Sequence, residues 1–429
     1  MSLQALEVRL QFDAERHLKV GTVARSGRDF VFQYDEGFLR LGLSISPFRL
    51  PLRSGLHVYD GRGRMDLFGV FEDAMPDSWG RRLIDRHFQK TQGRAPEVLE
   101  RLACVGERAM GALTFHPPEE LTVQSETEFD LAVLAQESWD FDNDRVEDVL
   151  PELRRMAGTS GGARPKVLVG LPETGTPIGP VLPGDAALPP GYTPIGPVLP
   201  GDAALPPGYV HWIVKFNTQS DGPDAGPLEF AYAELAAAAG AEVPEHRLID
   251  TASGRFFAVR RFDRPRPGCR LHLHSAAGLL HADFRTPGDE YDILFRLTES
   301  LTHDHAQRRE LYRRACLNVL ACNRDDHLKN FAYLMDAEGI WRLAPLFDFT
   351  FHQGPNGWHT LSVAGEGQNP RRENLLNLAD QADLKPKEAK AIIDQVRGAI
   401  TGFKPLAARL NLSASTTARV IARLQEIDS

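Results

Sequence analysis

At 429 residues the chain is too long for one ordinary core and predicts two or three lobes. Apolar residues at 42% and charged residues at 25% exclude a wholly disordered or fibrous protein. A formal charge of -9 excludes broad nonspecific attraction to nucleic acid and leaves a local basic face or a DNA-binding partner as the only routes to it. The four cysteines, Cys104, Cys269, Cys316 and Cys322, form no CxxC pair, so a reducing cytosol and no disulfide or zinc framework are expected. Cys316 and Cys322 lie in an apolar helical run and read as small core residues.

From Leu6 to about Val58 the pattern has period two, as in VRLQF and FVFQYDE, and predicts a small antiparallel sheet. The start of the chain therefore reads as a strand and not as a signal peptide, and no apolar stretch reaches bilayer length, so a cytoplasmic protein with no membrane segment is expected. DSWGRRLIDRHFQ, Asp77 to Gln89, shifts to helical spacing with Asp77 and Ser78 as candidate N-caps. At least one further amphipathic helix is expected between Glu126 and Met156. TPIGPVLPGDAALPPGY then occurs twice without a change, at Thr176 to Tyr192 and Thr193 to Tyr209. Two copies rich in Pro and Gly cannot stack into a solenoid, so the segment reads as a duplication inside a mobile surface loop with no function of its own. An apolar strand follows at Val210 to Phe216, then a helix from about Leu228 to Ala239 and strands at Glu245 to Asp250 and Arg255 to Phe262. From Glu290 onward helical periodicity dominates, broken near Asn323 to Phe351. A mixed α/β half followed by a mainly helical half leaves a crevice between them as the natural ligand site.

The chemistry concentrates in Arg324-Asp325-Asp326-His327-Leu328-Lys329-Asn330, with Asp348-Phe349-Thr350 eighteen residues beyond the Asn. Phosphoryl transfer needs a carboxylate to orient the attacking hydroxyl, and an amide and a second carboxylate to hold Mg²⁺ across the nucleotide phosphates. Asp325 and Asn330 are five apart, the spacing of the catalytic-loop pair of protein kinases, and Asp348 precedes a Phe as the second kinase metal ligand does. Upstream, Lys215 ends the strand HWIVKF and Glu229 opens the next helix, matching a phosphate-gripping lysine and the glutamate that holds it. AVRRFDR, Ala258 to Arg264, reads as an extended connector suited to adenine, with Arg260 and Phe262 as nucleotide contacts. In the Gly158 to Lys166 segment, Gly161 and Gly162 would let backbone amides approach phosphate. Each element alone has a bland reading: an edge-strand lysine, a turn-capping Asp or a flexible glycine turn. His327 and Lys329 either touch phosphate or shape the loop. Order along the chain, Lys, Glu, Asp, Asn, Asp, is what makes the set specific.

On these motifs, together with GVFEDAMPDSWGRRL, VGERAMGALTF and GTSGGARPK, the chain resembles the HipA family of serine/threonine kinases over most of its length. The resemblance implies a two-lobed α+β fold related to protein kinases: an N-terminal β-rich subdomain at 1–120, a mixed α/β lobe with the Gly-rich loop and Lys strand at 121–265, and an all-helical lobe at 266–429. It implies ATP and Mg²⁺, with Asp325 catalytic, Asn330 and Asp348 as metal ligands and Lys215 on the nucleotide. Members autophosphorylate a hydroxyl residue of the Gly-rich loop; the matching position is Thr159, with Ser160 beside it. Members also pair with a helix-turn-helix antitoxin that contacts operator DNA, and their characterised targets are aminoacyl-tRNA synthetases.

Other readings of the same residues stand beside this one. Asp325, Asp326, His327 and Asp348 could form a hydrolytic metal site, although that leaves Lys215 and Asn330 unused. A small-molecule kinase shares the Asp, Asn, Asp logic, and a non-catalytic scaffold that binds an antitoxin would share the fold. His272, His274 and His281 are a weaker metal candidate, with the alternating LHLH pair expected on the wet side of a strand.

Overall fold

The computed structural model describes residues 3–59, 61, 65–119, 130–146, 153, 156, 164–173, 198–201, 205–284 and 288–428. Thr159, Ser160, Gly161 and Gly162 lie outside them, as does the whole first copy of the duplicated segment.

Alternation builds the first sheet. In β1 (Ala5–Gln11) Leu6, Val8 and Leu10 are buried while the residues between them meet solvent. β2 (His17–Ser26) and β3 (Asp29–Tyr34) continue the meander, and α1 (Glu36–Leu39) leads to β4 (Leu56–Val58). The helices α2 (Gly69–Glu72), α3 (Ser78–Gln92) and α4 (Val98–Val105) precede β5 (Leu113–His116), which closes a sheet of order β4-β3-β2-β1-β5. All of its pairings are antiparallel. The expected helix after this sheet is α3, capped by Asp77, whose carboxylate accepts from Gly80 N at 2.7 Å.

After α5 (Leu131–Asp142) come β6 (Lys166–Pro172), β7 (Leu199–Pro200), β8 (Tyr209–Lys215), α6 (Ala225–Ala238), β9 (His246–Thr251) and β10 (Gly254–Arg260). They form a second antiparallel sheet of order β7-β6-β8-β10-β9. Its presence corrects the view of the duplication as wholly a mobile surface loop. In the second copy Pro200 pairs with Val169 and Leu199 with Gly170, and Val198 is buried. Gly201 lies so close to the Leu168 and Val169 backbone that a side chain there would collide, and Leu205 covers Gly170. This stretch is an edge strand because β6 needs a partner for its outer hydrogen-bonding side.

The C-terminal half begins with β11 (His272–Ser275), α7 (Ala276–Leu280), β12 (Asp289–Glu290), α8 (Tyr291–Thr302) and α9 (His305–Leu320). β13 (Ala332–Met335), β14 (Trp341–Leu343) and β15 (Leu361–Ser362) follow, then α10 (Arg372–Gln381), α11 (Pro386–Ile400), α12 (Phe403–Arg409) and α13 (Ala414–Asp428). This half is mainly helical, and it adds two small sheets, β11-β13-β14 and β12-β15, that an all-helical expectation leaves out. Cys316 and Cys322 are buried in its core, and the four cysteines are free thiols. Among the described residues no helix is long and apolar enough to cross a membrane.

The histidines of LHLH are not on a wet face. His272 and His274 are fully buried because the face of β11 that carries them docks against the N-terminal sheet region. His272 Nε2 donates to Ile45 O at 2.8 Å, and His274 Nδ1 donates to Asp73 at 2.7 Å. His281 Nε2 accepts from Gly69 N at 3.0 Å. All three rings are engaged with the N-terminal region and do not converge on a metal; among the described residues no three His, Cys, Asp or Glu side chains group around a cation position.

Candidate active site

A cavity of about 490 Å³ opens between the second sheet and the helical half. Its apolar walls are Ile213, Phe257, Val259, Phe262, Leu346 and Phe347. Phe262 and Phe347 lie ring against ring, 5.6 Å between centroids. The same cavity is lined by the polar side chains Lys166, Lys215, Asp325, His327, Asn330 and Asp348. A concave cavity of this size that combines apolar walls with a few charged side chains is suited to a small-molecule ligand.

Lys215 is the last residue of β8. Its Nζ donates to Glu229 Oε1 at 2.5 Å and to Asp348 Oδ1. Burial alone would push this ammonium down, but Asp348 and Glu229 outweigh it and hold the Lys215 pKa above its ordinary value. Asp348 takes a left-handed backbone (φ 53°), a conformation that side-chain-bearing residues adopt at some cost and that clusters at functional sites. Burial raises its carboxyl, yet Lys215, Lys166 and Arg164 together keep it below the usual carboxylate range, so it is an anion at neutral pH. Phe349 behind it is buried and packs on Tyr232 of α6, 5.4 Å between ring centroids, which anchors the turn.

The loop after α9 divides its two aspartates by role. Asp325 is about half exposed (48%) and faces the cavity. Asp326 is fully buried and accepts from Tyr291 Oη at 2.9 Å, His359 Nδ1 at 2.9 Å and Thr360 N at 2.8 Å. Asp326 therefore holds the loop in place, which removes it from the four-residue hydrolytic metal site considered above. Asn330 Nδ2 donates to Asp325 O at 2.7 Å, fixing the span between the two residues and leaving the amide oxygen as its free end. An amide oxygen and a carboxylate kept anionic are the hard donors that Mg²⁺ takes, with substrate phosphates and water completing the shell. His327 Nε2 lies 3.7 Å from Asp325, and Lys329 Nζ sits 4.9 Å from the Phe284 ring centroid. Arg260 lines the cavity and pairs with Glu245 at 3.2 Å.

Sequence reasoning missed three contributors. Lys166 is the register partner of Lys215 across β6 and β8, so two cations stand side by side in the sheet. The offsetting carboxylate for Lys166 comes from the N-terminal region: Asp77 Oδ2 lies 3.2 Å from its Nζ, both side chains nearly fully buried. Arg164 reaches Asp221 at 3.1 Å and Glu229 at 3.2 Å. The available signal was the two-residue alternation of ARPKVLVG, which places Arg164 and Lys166 on one face of a strand. Nothing in the sequence pointed to Asp77 as more than a helix cap.

The chain matches the HipA-like C-terminal domain over residues 158–402 and the HipA N-terminal domain over residues 15–116. Its fold is similar to that of Shewanella oneidensis HipA, solved with HipB and operator DNA. The two share 15% identity with a TM-score of 0.63, over 98% of this chain and 95% of that one. A Helicobacter pylori proinflammatory kinase, CtkA, aligns at 12% identity with a TM-score of 0.32, over 49% of this chain and 92% of that one. A Haemophilus influenzae protein named "Putative kinase" is 27% identical over 124 residues, 26% of this chain; the match spans only 36% of that protein's length.

Proposed function

Because the chain belongs to the HipA family, we propose that it is an ATP- and Mg²⁺-dependent serine/threonine protein kinase, the toxin of a toxin–antitoxin pair. The reading is carried by one observation: Lys215, Asp325, Asn330 and Asp348, drawn from separate stretches of the chain, line a single cavity that also has apolar walls. On this reading adenine lies between Phe262, Phe347 and the backbone of β10. Lys215, steadied by Glu229, grips the phosphates, with Lys166, Arg164 and Arg260 adding positive charge around the site. Asp325 orients the acceptor hydroxyl and receives its proton, which its exposure to the cavity allows. Asp348 and the Asn330 oxygen would hold Mg²⁺, which offsets phosphate charge when bound. His327 and Lys329 stand beside Asp325 to meet the departing phosphoryl group.

Residues 1–120 are then a module fused to the nucleotide lobe at 121–265 and the acceptor lobe at 266–429. Thr159 or Ser160 is the site of autophosphorylation, and Gly161 and Gly162 let the loop approach phosphate. The likeness to a HipA solved with HipB and operator DNA supports a helix-turn-helix antitoxin partner, with DNA contact mainly through that partner. The formal charge of -9 agrees with that division of labour. The protein substrate is translation-related, an aminoacyl-tRNA synthetase being the leading case, and the setting is the cytoplasm.

The deciding experiment incubates the protein with labelled ATP and Mg²⁺, alone and with cell extract. Label on Thr159 or Ser160, and on an extract protein, should fall by about 10²- to 10⁴-fold in Asp325→Asn while ATP binding persists. Nucleotide binding with no transfer to any protein would refute the protein-kinase reading and leave a small-molecule kinase or a scaffold.

A further inference from the structure

A second cavity, about 300 Å³, lies behind the catalytic loop and shares no lining residue with the nucleotide cleft. Its wall is unusual for a buried space. Arg324, the residue before Asp325, is only 3% exposed, and its Nε is buried with no hydrogen-bond partner. One of its terminal nitrogens donates to Gly357 O, and it makes no ion pair among the described residues. Arg423 of α13 and Arg371, at the N-terminus of α10, complete the cationic lining. Against these three guanidiniums stands one lining carboxylate, Glu426, which pairs with Arg423 from an exposed position.

The neighbouring groups offset this charge only in part. Asp326 is already held by Tyr291, His359 and Thr360. Cys322 lies beside Arg324 and Arg423, but burial pushes its thiol up, so it is neutral at pH 7. Burial first, and the like charge of Arg423 after it, push the Arg324 pKa down against the opposing pull of Cys322 and Asp326. A buried guanidinium without a counter-charge is costly, and arginine forks match the oxygens of a tetrahedral anion better than any other side chain.

We propose that this cavity is a binding site for a phosphate group, carried either by a phosphorylated side chain or as free phosphate. Its occupant would join Arg324 to Arg371 and Arg423, tying α10 and α13 to the residue that precedes Asp325. The binding stands independently of the kinase reading; an effect on Asp325 rests on it.

The test titrates the full chain with inorganic phosphate and, separately, with a phosphoserine peptide, followed by calorimetry. Arg371→Gln/Arg423→Gln should weaken binding at least about tenfold, or about 1.4 kcal/mol. Lys215→Met should bind phosphate as the wild type does, which separates this cavity from the nucleotide cleft. Arg371→Gln alone, at an exposed position, should show a smaller loss with unchanged thermal stability and so guards against misfolding of the double variant. Tighter binding of the peptide than of phosphate identifies a phosphorylated side chain as the occupant; equal binding identifies free phosphate. The proposal is overturned if neither probe binds the wild type at millimolar concentration, if the double variant binds undiminished, or if Lys215→Met abolishes binding. None of these outcomes depends on phosphoryl transfer, so each is distinguishable from failure of the kinase reading.

Discussion

Replacing Asp77 by Asn removes one charge from the joint between the N-terminal region and the second sheet. The cap on α3 is kept, since an Asn carbonyl can accept from Gly80 N as the Asp77 carboxylate does at 2.7 Å. What disappears is the anion 3.2 Å from Lys166 Nζ, where the two side chains are 2% and 0% exposed. Lys166 then faces Lys215, its partner in the strand register, without that compensation. Breaking one side of a buried pair costs about 3–5 kcal/mol. An opposing effect reduces this: burial pushes the Asp77 carboxyl up and Lys166 only partly offsets it, so a neutral amide recovers desolvation energy. A net loss of about 2 kcal/mol follows, measurable by urea unfolding at pH 7. With an unfolding entropy of about 2.1 cal/mol/K per residue, the melting point of a chain this long should fall by only about 2 °C, which is why denaturant is the better assay. Adding Lys166→Met to Asp77→Asn should restore at least half of the loss by removing the stranded cation. The reasoning fails if Asp77→Asn is as stable as the wild type, or if the second substitution lowers stability further.

Gly69 and Gly278 meet backbone to backbone where α2 crosses α7, so Gly69→Ala should cost about 1–3 kcal/mol and speed proteolysis of the N-terminal region. Unchanged proteolysis would show that this contact does not hold the two parts together. His272 titrates in the folded chain at about 3, pushed down first by burial and then by His274. Because that value lies below the unfolded one near 6.5, the unfolded chain binds the proton first: stability is full above about pH 6.5 and is lost as pH falls toward 3. Between pH 8 and pH 5 the loss should be about 2 kcal/mol, and His272→Gln should remove that part of the slope; an unaltered slope would locate the titration elsewhere. Deleting one copy of the 17-residue duplication should leave urea stability and labelling unchanged, because the remaining copy still supplies Leu199, Pro200, Gly201 and Leu205 beside β6. Loss of soluble protein on deletion would mean that both copies are structural.

The local elements, and the residues that come to share the cavity, were legible in the sequence. Period-two runs become strands and three-to-four spacing becomes helices because burial of one face decides both, and Asp77 caps α3 for reasons confined to four residues. Asp325, Asn330, Asp348, Lys215 and Glu229, which all line the cavity, could be picked out because residue type and order are properties of the sequence. What tertiary structure alone decided are matters of which surfaces meet. Asp325 and Asp326 are identical neighbours, yet one faces the cavity and the other is enclosed by Tyr291 and His359, residues 35 and 33 positions away. His272 and His274 alternate as exposed strand residues would, and are buried because the N-terminal region covers their face. Leu199–Pro200 in the second copy of the duplication lie in a segment with the composition of a loose loop, yet they pair as an edge strand because β6 offers unpaired backbone groups beside them. Pattern along a chain reports how each segment solves its own burial problem; charge pairing, enclosure and docking are set by neighbours that arrive from elsewhere in the sequence.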